Sequence, residues 1–413
     1  MKLSNSGYVD NDLFISEEHY QSLKQSYGVP QAGDLMVTGV GTIGKVYIVK
    51  KDDLFYYKDA SVLCFENRYG IILSEYARIM IDSPLLQNQI HSKTYGNTVD
   101  TITISTANEY ICILPPIKEQ LKIINTVNSS IELIAAIEHN KSELSDIIVQ
   151  AKSKILDLAI RGKLVPQNPD DEPASVLLER IRAEKEELIK AGKIKRDKKE
   201  SVIFKGEDNS YYEKIEGEIT NIAEEIPFSV PENWCWCRLN TLCTKEIKRG
   251  KAPKYSDKSN TLVFAQKCNT KKGNINISLA QYLDENVLKK YQPEFFMKYN
   301  DIVINSTGTG TLGRVGIFEK SDDIYGLPIV PDSHITTIRV SELIVAKYIY
   351  ALLKLKQPYF ETVGEGSTNQ KELRPEALSD ILIPLPPVLE QKQIVATINS
   401  ICIKLDKIEQ SLN

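Results

Sequence analysis

The chain is written twice, and that repeat limits what it can fold into. The stretch GDLMVTGVGTIGKVYIV at 33–49 returns as NDIVINSTGTGTLGRVGIF at 300–318. ILPPIKEQLKIINTVNSSI at 113–131 returns as PLPPVLEQKQIVATINSIC at 384–402. The displacement from Val49 to Phe318 is 269 residues and from Ile113 to Pro384 it is 271 (318 − 49 and 384 − 113). Two matches in one order at nearly one spacing define a duplicated unit. With 413 residues, each copy is long enough to bury its own core.

Each copy follows one plan. Short β-like runs punctuated by glycine come first. A proline pair follows, Pro115–Pro116 or Pro386–Pro387, and then a helix. In the second copy that helix carries Ile394, Ile398, Ile401, Leu405, Ile408 and Leu412, at alternating steps of four and three. The first copy has Ile123, Val127, Ile134 and Ile137 at the matching places, with Ser130 for Ile401. Its stripe continues through Leu144, Ile148, Ala151, Ile155 and Leu158. Such a narrow seam, present twice, predicts two helices that pair with each other. The helices are expected to span about 44 residues from Ile117 to Ile160, ~66 Å, and about 26 from Val388, ~39 Å.

The glycine strings TGVGTIGKV and TGTGTLGRV invite a phosphate-binding reading. A Walker loop needs Ser or Thr after its lysine, but Val46 follows Lys45 and Val315 follows Arg314. Both strings run on into β-like sequence, whereas a phosphate loop opens a helix. The letters fit a kinase glycine loop, yet neither H-R-D nor D-F-G occurs. The expected structure is a hairpin with glycines at positive φ, with Lys45 and Arg314 as secondary candidates for a DNA phosphate. Other catalytic patterns fail as well. The LPP copies lack the polar first residue of [D/N]-P-P-[F/Y], and Pro331–Asp332 has no acidic-x-lysine partner of a PD…ExK nuclease. His19, His91, His139 and His334 stand alone, which predicts surface or packing roles.

The formal net charge is −4, against a general nucleic-acid binder, but an average hides patches. From Lys245 to Lys272 nine basic residues face only Glu246 and Asp257. Lys248, Arg249, Lys251, Lys254, Lys271 and Lys272 are therefore the candidate DNA contacts. The C-x-C-x5-C spacing of Cys235, Cys237 and Cys243 is not a zinc pattern and predicts reduced thiols in a cytoplasmic protein. No run approaches the ~20 apolar residues of a membrane span. Between the repeats, 173–193 is expected to be a solvent-washed charged helix started by Pro173, 193–200 a basic run, and 200–228 irregular.

The GTIGKV and GTLGRV turns, the LPPIKEQ and LPPVLEQ helix starts, the connector at 155–195 and IPFSVPENWCWCRLNTL at 226–242 occur in an order that resembles the DNA-specificity subunit of type I restriction–modification enzymes. The resemblance implies an α+β fold: two mixed α/β target-recognition domains in tandem, joined by two long helices forming an antiparallel coiled coil. On that plan the first recognition domain covers 1–112, the central helix 113–160, the connector 161–233, the second recognition domain 234–384 and the C-terminal helix 385–413. The partners implied are double-stranded DNA, two methyltransferase subunits and restriction/translocase subunits, with no membrane. No cofactor is expected here, since S-adenosylmethionine, ATP and magnesium would sit on the partners, as would methylation and cleavage. The seam residues would dock those subunits.

One departure stands out. About 75 residues separate Trp234 from Thr309, whereas about 40 precede the first glycine turn. A counterpart of the stretch running from Trp234 to Lys272 is missing from the first copy, which reads as an N-terminally incomplete recognition domain. The runner-up function is thus an assembly scaffold without a complete target.

Overall fold

The computed structural model describes every residue except 1, 4–8, 11–13, 58–60, 93–100, 197–199, 272, 309, 364–371 and 413. The chain forms two compact units, Met1–Ser142 and Glu143–Asn413.

In the first unit β1 (Lys2–Leu3) pairs with β2 (Val9–Asp10). Helix α1 (Glu17–Tyr27) starts where the Ser16 hydroxyl accepts the His19 N–H, an N-cap that satisfies an orphan donor. β3 (Leu35–Thr38) then lies between β4 (Val46–Ile48) and β5 (Val62–Phe65), antiparallel to both. Helices α2 (Ser74–Asp82), α3 (Pro84–Ser92) and α4 (Ile104–Ala107) follow, and then α5 (Ile117–Ile160), whose 44 residues match the sequence expectation.

The second unit holds the rest of α5 and α6 (Ala174–Lys190). Contrary to the solvent-washed reading, α6 buries Ala174, Leu177, Leu178 and Ile181 in the main core. Glu179, Arg180, Glu187 and Lys190 lie on its exposed face, while Lys185 donates to the Asn240 carbonyl. The stretch expected to be irregular is an antiparallel meander of β6 (Ser201–Lys205), β7 (Tyr211–Ile215) and β8 (Glu218–Asn221). Its strands are polar because one side faces water, and the buried Glu213 is held by Arg238 at 2.6 Å. Next come β9 (Cys235–Arg238), β10 (Lys248–Arg249), β11 (Tyr255–Ser256), β12 (Leu262–Phe264), β13 (Gln281–Leu283), β14 (Ile302–Asn305), β15 (Val315–Ile317), β16 (Ile329–Pro331) and β17 (Ile335–Ile338). Helices α7 (Ala346–Leu355), α8 (Gln357–Val363) and α9 (Pro375–Ser379), strand β18 (Leu382–Leu385) and helix α10 (Val388–Ser411) complete it. One sheet has the order β10-β17-β14-β15 and a second β11-β13-β12-β16, while β9 pairs with β18.

The duplication is visible bond by bond. β3 sits between β4 and β5 as β14 sits between β15 and β17. Each central strand is preceded by a fully buried aspartate gripped by an arginine from beyond the third strand: Asp34 by Arg68 at 2.6 Å, Asp301 by Arg339 at 2.6 Å. The same carboxylates accept the N–H of the residue three back, Gln31 or Lys298. Both glycine loops close alike. Thr38 N–H donates to the Lys45 carbonyl and Gly44 N–H to Thr38, while Asn305 N–H donates to Arg314 and Gly313 N–H to Asn305. Gly44 and Gly313 adopt φ of 80° and 78°, the conformation the hairpin reading required of its glycines.

A buried glutamine ties each helix start to its unit. The Gln120 side chain accepts the Leu73 N–H and donates to the Pro115 carbonyl. Gln391 does the same with Val345 and Pro386. In the second unit the later part of α5 and α10 run antiparallel. Lys152 Nζ reaches Asp406 at 2.7 Å and Glu409 at 2.9 Å, whereas Gln167, just beyond α5, bonds Glu390 near the start of α10. Ile394 and Ile398 are buried in the main core, where α10 packs against α7, while Ile401 and Leu405 are half-buried and Ile408 exposed. Ile123 and Val127 are half-buried, and Ile134 and Ile137 exposed.

Candidate nucleic-acid interface

The basic cluster is built around the short strand β10. Lys248 and Arg249 pair with Thr337 and Thr336 of β17, so the second unit's central sheet holds their main chain. Gly250 follows because nothing larger fits: a Cβ there would stand 1.9 Å from the Pro331 carbonyl oxygen. Lys248 reaches Glu246 at 3.3 Å and Glu294 at 3.8 Å and lies 5.0 Å from the centre of the Phe295 ring. Lys251 lies 4.0 Å from the same ring centre and donates to the Lys290 carbonyl. Lys254 pairs with Asp284 at 2.8 Å. Acidic neighbours thus orient much of the cluster, while the rings spread its cations over an apolar floor.

Arg249 donates through Nη2 to Glu372 at 3.1 Å and to the Leu373 carbonyl at 3.3 Å, and its buried Nε has no partner among the described residues. Glu372 bridges to Thr307 of the glycine loop. The Gln266 side chain donates to the Thr307 carbonyl and hydroxyl, and the Thr307 hydroxyl meets His334 Nδ1 at 2.6 Å. Arg249, Gln266, Thr307 and His334 are therefore linked at one edge of the sheets. Arginine and glutamine can each make paired hydrogen bonds to a base edge. Gln266 and His334 had no motif to announce them: Gln266 is isolated in sequence, and His334 read as a surface or packing residue. Their relevance comes from sheet pairing.

The other candidates are dispersed. Lys271 is exposed in the turn closed by Gly273 N–H on the Thr270 carbonyl, and Lys272 lies outside the described residues. Arg314 is turned into its own loop, donating to Gly310 at 2.7 Å and Asn269 at 3.4 Å. Lys45 closes the first hairpin through its main chain and is half-buried. Among the described residues no group of three or more His, Cys, Asp or Glu could hold a metal, and no helix is long and apolar enough to cross a membrane.

Lys245 opens the cluster but is buried, and burial drives its ammonium from the ordinary 10.5 down to about 8, opposed by nearby Asp301. Between those values the unfolded chain holds a proton that the native chain has lost, so this group makes stability rise with pH. Lys245→Met should flatten that rise. Urea midpoints of both proteins at about pH 8 and about pH 10 test this, and an unchanged slope would place Lys245 in water.

Residues 231–413 match the family described as "Type I restriction modification DNA specificity domain". The chain is 32% identical over 281 residues to the type I restriction enzyme EcoEI specificity subunit of Escherichia coli, covering 64% of this chain and 40% of that protein. It is 32% identical over 272 residues to the EcoAI specificity subunit of the same organism, covering 64% and 41%. The match thus spans about 40% of the length of these relatives. The fold is shared with the HsdS subunit of Thermoanaerobacter tengcongensis, at TM-score 0.52 and 16% identity over 93% of this chain and 80% of that one. A chain from a structure of the type I R-M system gives TM-score 0.53 at 16% identity, over 93% and 77%.

Proposed function

We propose that this chain is a sequence-reading, non-catalytic DNA subunit of a type I restriction–modification complex. It reads double-stranded DNA through the second unit's β10 edge and glycine loop. Its paired helices dock two methyltransferase subunits, and restriction/translocase subunits join through them. Methylation, cleavage, S-adenosylmethionine, ATP and magnesium belong to those partners, and the complex works in the cytoplasm. The observation that carries this is the joining of Arg249, Gln266, Thr307 and His334 beside a lysine cluster. Cations supply sequence-independent attraction, while the planar donors discriminate bases.

The test is a salt titration of the assembled complex on cognate and random duplexes. The cognate site is first mapped from bases modified when the chain is co-expressed with its methyltransferase. Lys271→Ala should weaken both duplexes alike and reduce the salt slope by ~1. Arg249→Ala should cost cognate DNA an extra ~1–3 kcal/mol. Equal losses on both duplexes for Arg249→Ala would remove it from base reading.

A further inference from the structure

The two copies share a frame but differ at one edge. In the second unit β9 lies along β18, with Cys237 opposite Ile383 and Cys235 opposite Leu385. A 3₁₀ turn, Leu239–Leu242, then places Leu239 and Leu242 in the core, both 0% exposed. They share that core with Ile302, Leu353, Leu373 and Leu378. By the frame, residues 111–114 stand where β18 stands. There Ile383 and Leu385 are 0% exposed, whereas Ile111, Ile113 and Leu114 are 73%, 62% and 52% exposed.

The main chain of 111–114 is satisfied on one side only. Ile111 donates to the Gln89 side chain at 2.8 Å and accepts from it at 3.0 Å, and the Tyr76 hydroxyl donates to the Ile113 carbonyl as Tyr348 does to Pro384. Extended chain alternates the direction of its N–H and C=O groups. In the second unit Leu239 N–H donates to the Ile381 carbonyl, so alternate residues from 381 face β9. Cys112 and Leu114 therefore present their N–H and C=O to the opposite edge, where they bond no described residue. Beside this edge lies an apolar cavity of about 200 Å³, lined by Leu35, Ile81, Ile102 and Ala107 among others. Those four are the frame counterparts of Ile302, Leu353, Leu373 and Leu378. An apolar cavity of even ~150 Å³ stays dry and accepts apolar groups.

We propose that residues 111–114 and this cavity form an acceptor site for a β-strand supplied from outside residues 1–413. The guest is an antiparallel strand ending in a 3₁₀ turn with two leucines three residues apart, the build of residues 235–242. Main-chain bonds to Cys112 and Leu114 give affinity, and the two leucines fill the cavity. A second copy of this chain is a poor donor. Its own segment is paired with β18, its leucines are fully buried, and Trp234 Nε1 is bonded to Glu390 at 2.7 Å. The site does not depend on the DNA-reading assignment.

The test mixes the full chain, under reducing conditions, with a synthetic peptide of residues 231–244, followed by hydrogen exchange. The amides of Cys112 and Leu114 should gain protection. A peptide carrying Leu239→Asp and Leu242→Asp should give none, and Ala107→Trp in the full chain should weaken binding by roughly tenfold or more. Absence of protection, equal protection by both peptides, or protection confined to 382–385 would overturn the proposal. So would a dimer in which Cys112 and Leu114 are already protected without peptide, because a second copy would then be the occupant.

Discussion

Replacing Asp301 with alanine is expected to cost the second unit about 3–5 kcal/mol, the range seen when one partner of a buried ion pair is removed. Asp301 is fully buried, accepts two bonds from Arg339 at 2.6 and 2.7 Å and caps the Lys298 N–H. Its loss leaves a guanidinium with only 15% of its side-chain surface exposed and nothing to neutralise it. Asp34→Ala removes the counterpart, but Arg68 is 33% exposed and can turn to water. The loss there should be smaller. Urea unfolding followed by hydrogen exchange in each unit measures the two separately. A smaller loss for Asp301→Ala than for Asp34→Ala would show that burial of the arginine does not set the cost.

Gly250→Ala should be nearly as damaging, although it adds one methyl group. The new Cβ would meet the carbonyl oxygens of Pro331 at 1.9 Å and Asp332 at 2.4 Å. Both are main-chain atoms, so no rotamer change relieves the contact. Overpacking a core costs ~1–3 kcal/mol, and here the strands themselves must part. Gly250 N–H donates to Ile335, so β10 would lift from β17 and carry Lys248 and Arg249 with it. Gly310→Ala is the control. Its φ of 73° disfavours a side chain, yet nothing lies within 4 Å, so only the ~1–2 kcal/mol of left-handed strain is expected. Thermal unfolding and DNA affinity together decide the point. Native-like DNA binding by Gly250→Ala would detach β10 from the proposed reading surface.

Much of the architecture was legible because duplication prints the same plan twice. The glycine hairpins and the start of α5 follow from letters alone: glycines at positive φ, and a proline pair before an apolar stripe. The aspartates and glutamines of the shared frame were also in plain view, as Asp34 and Asp301 or Gln120 and Gln391, but a single polar letter does not declare that it is buried. Helix α6 was misread because its charges outnumber the four residues that turn inward. The meander β6–β8 was misread because its strands lack the apolar alternation that marks a half-buried sheet. The proposed reading edge was hidden for a different reason. Arg249, Gln266, Thr307 and His334 are scattered through the sequence, and only the pairing of β10 with β17 and of Thr307 with Glu372 joins them.

The closing bonds of the two glycine loops have a consequence for how such loops can vary. Thr38 and Lys45 clasp one loop as Asn305 and Arg314 clasp the other, yet the second stretch is two residues longer (314 − 305 against 45 − 38). The clasp fixes both ends, and the two extra residues of the second loop leave its closing bonds in place. The loops therefore behave as interchangeable inserts on a constant socket. A chimera carrying 306–313 in place of 39–44 would close on the same main-chain bonds, with the Asp34–Arg68 grip beneath it unchanged.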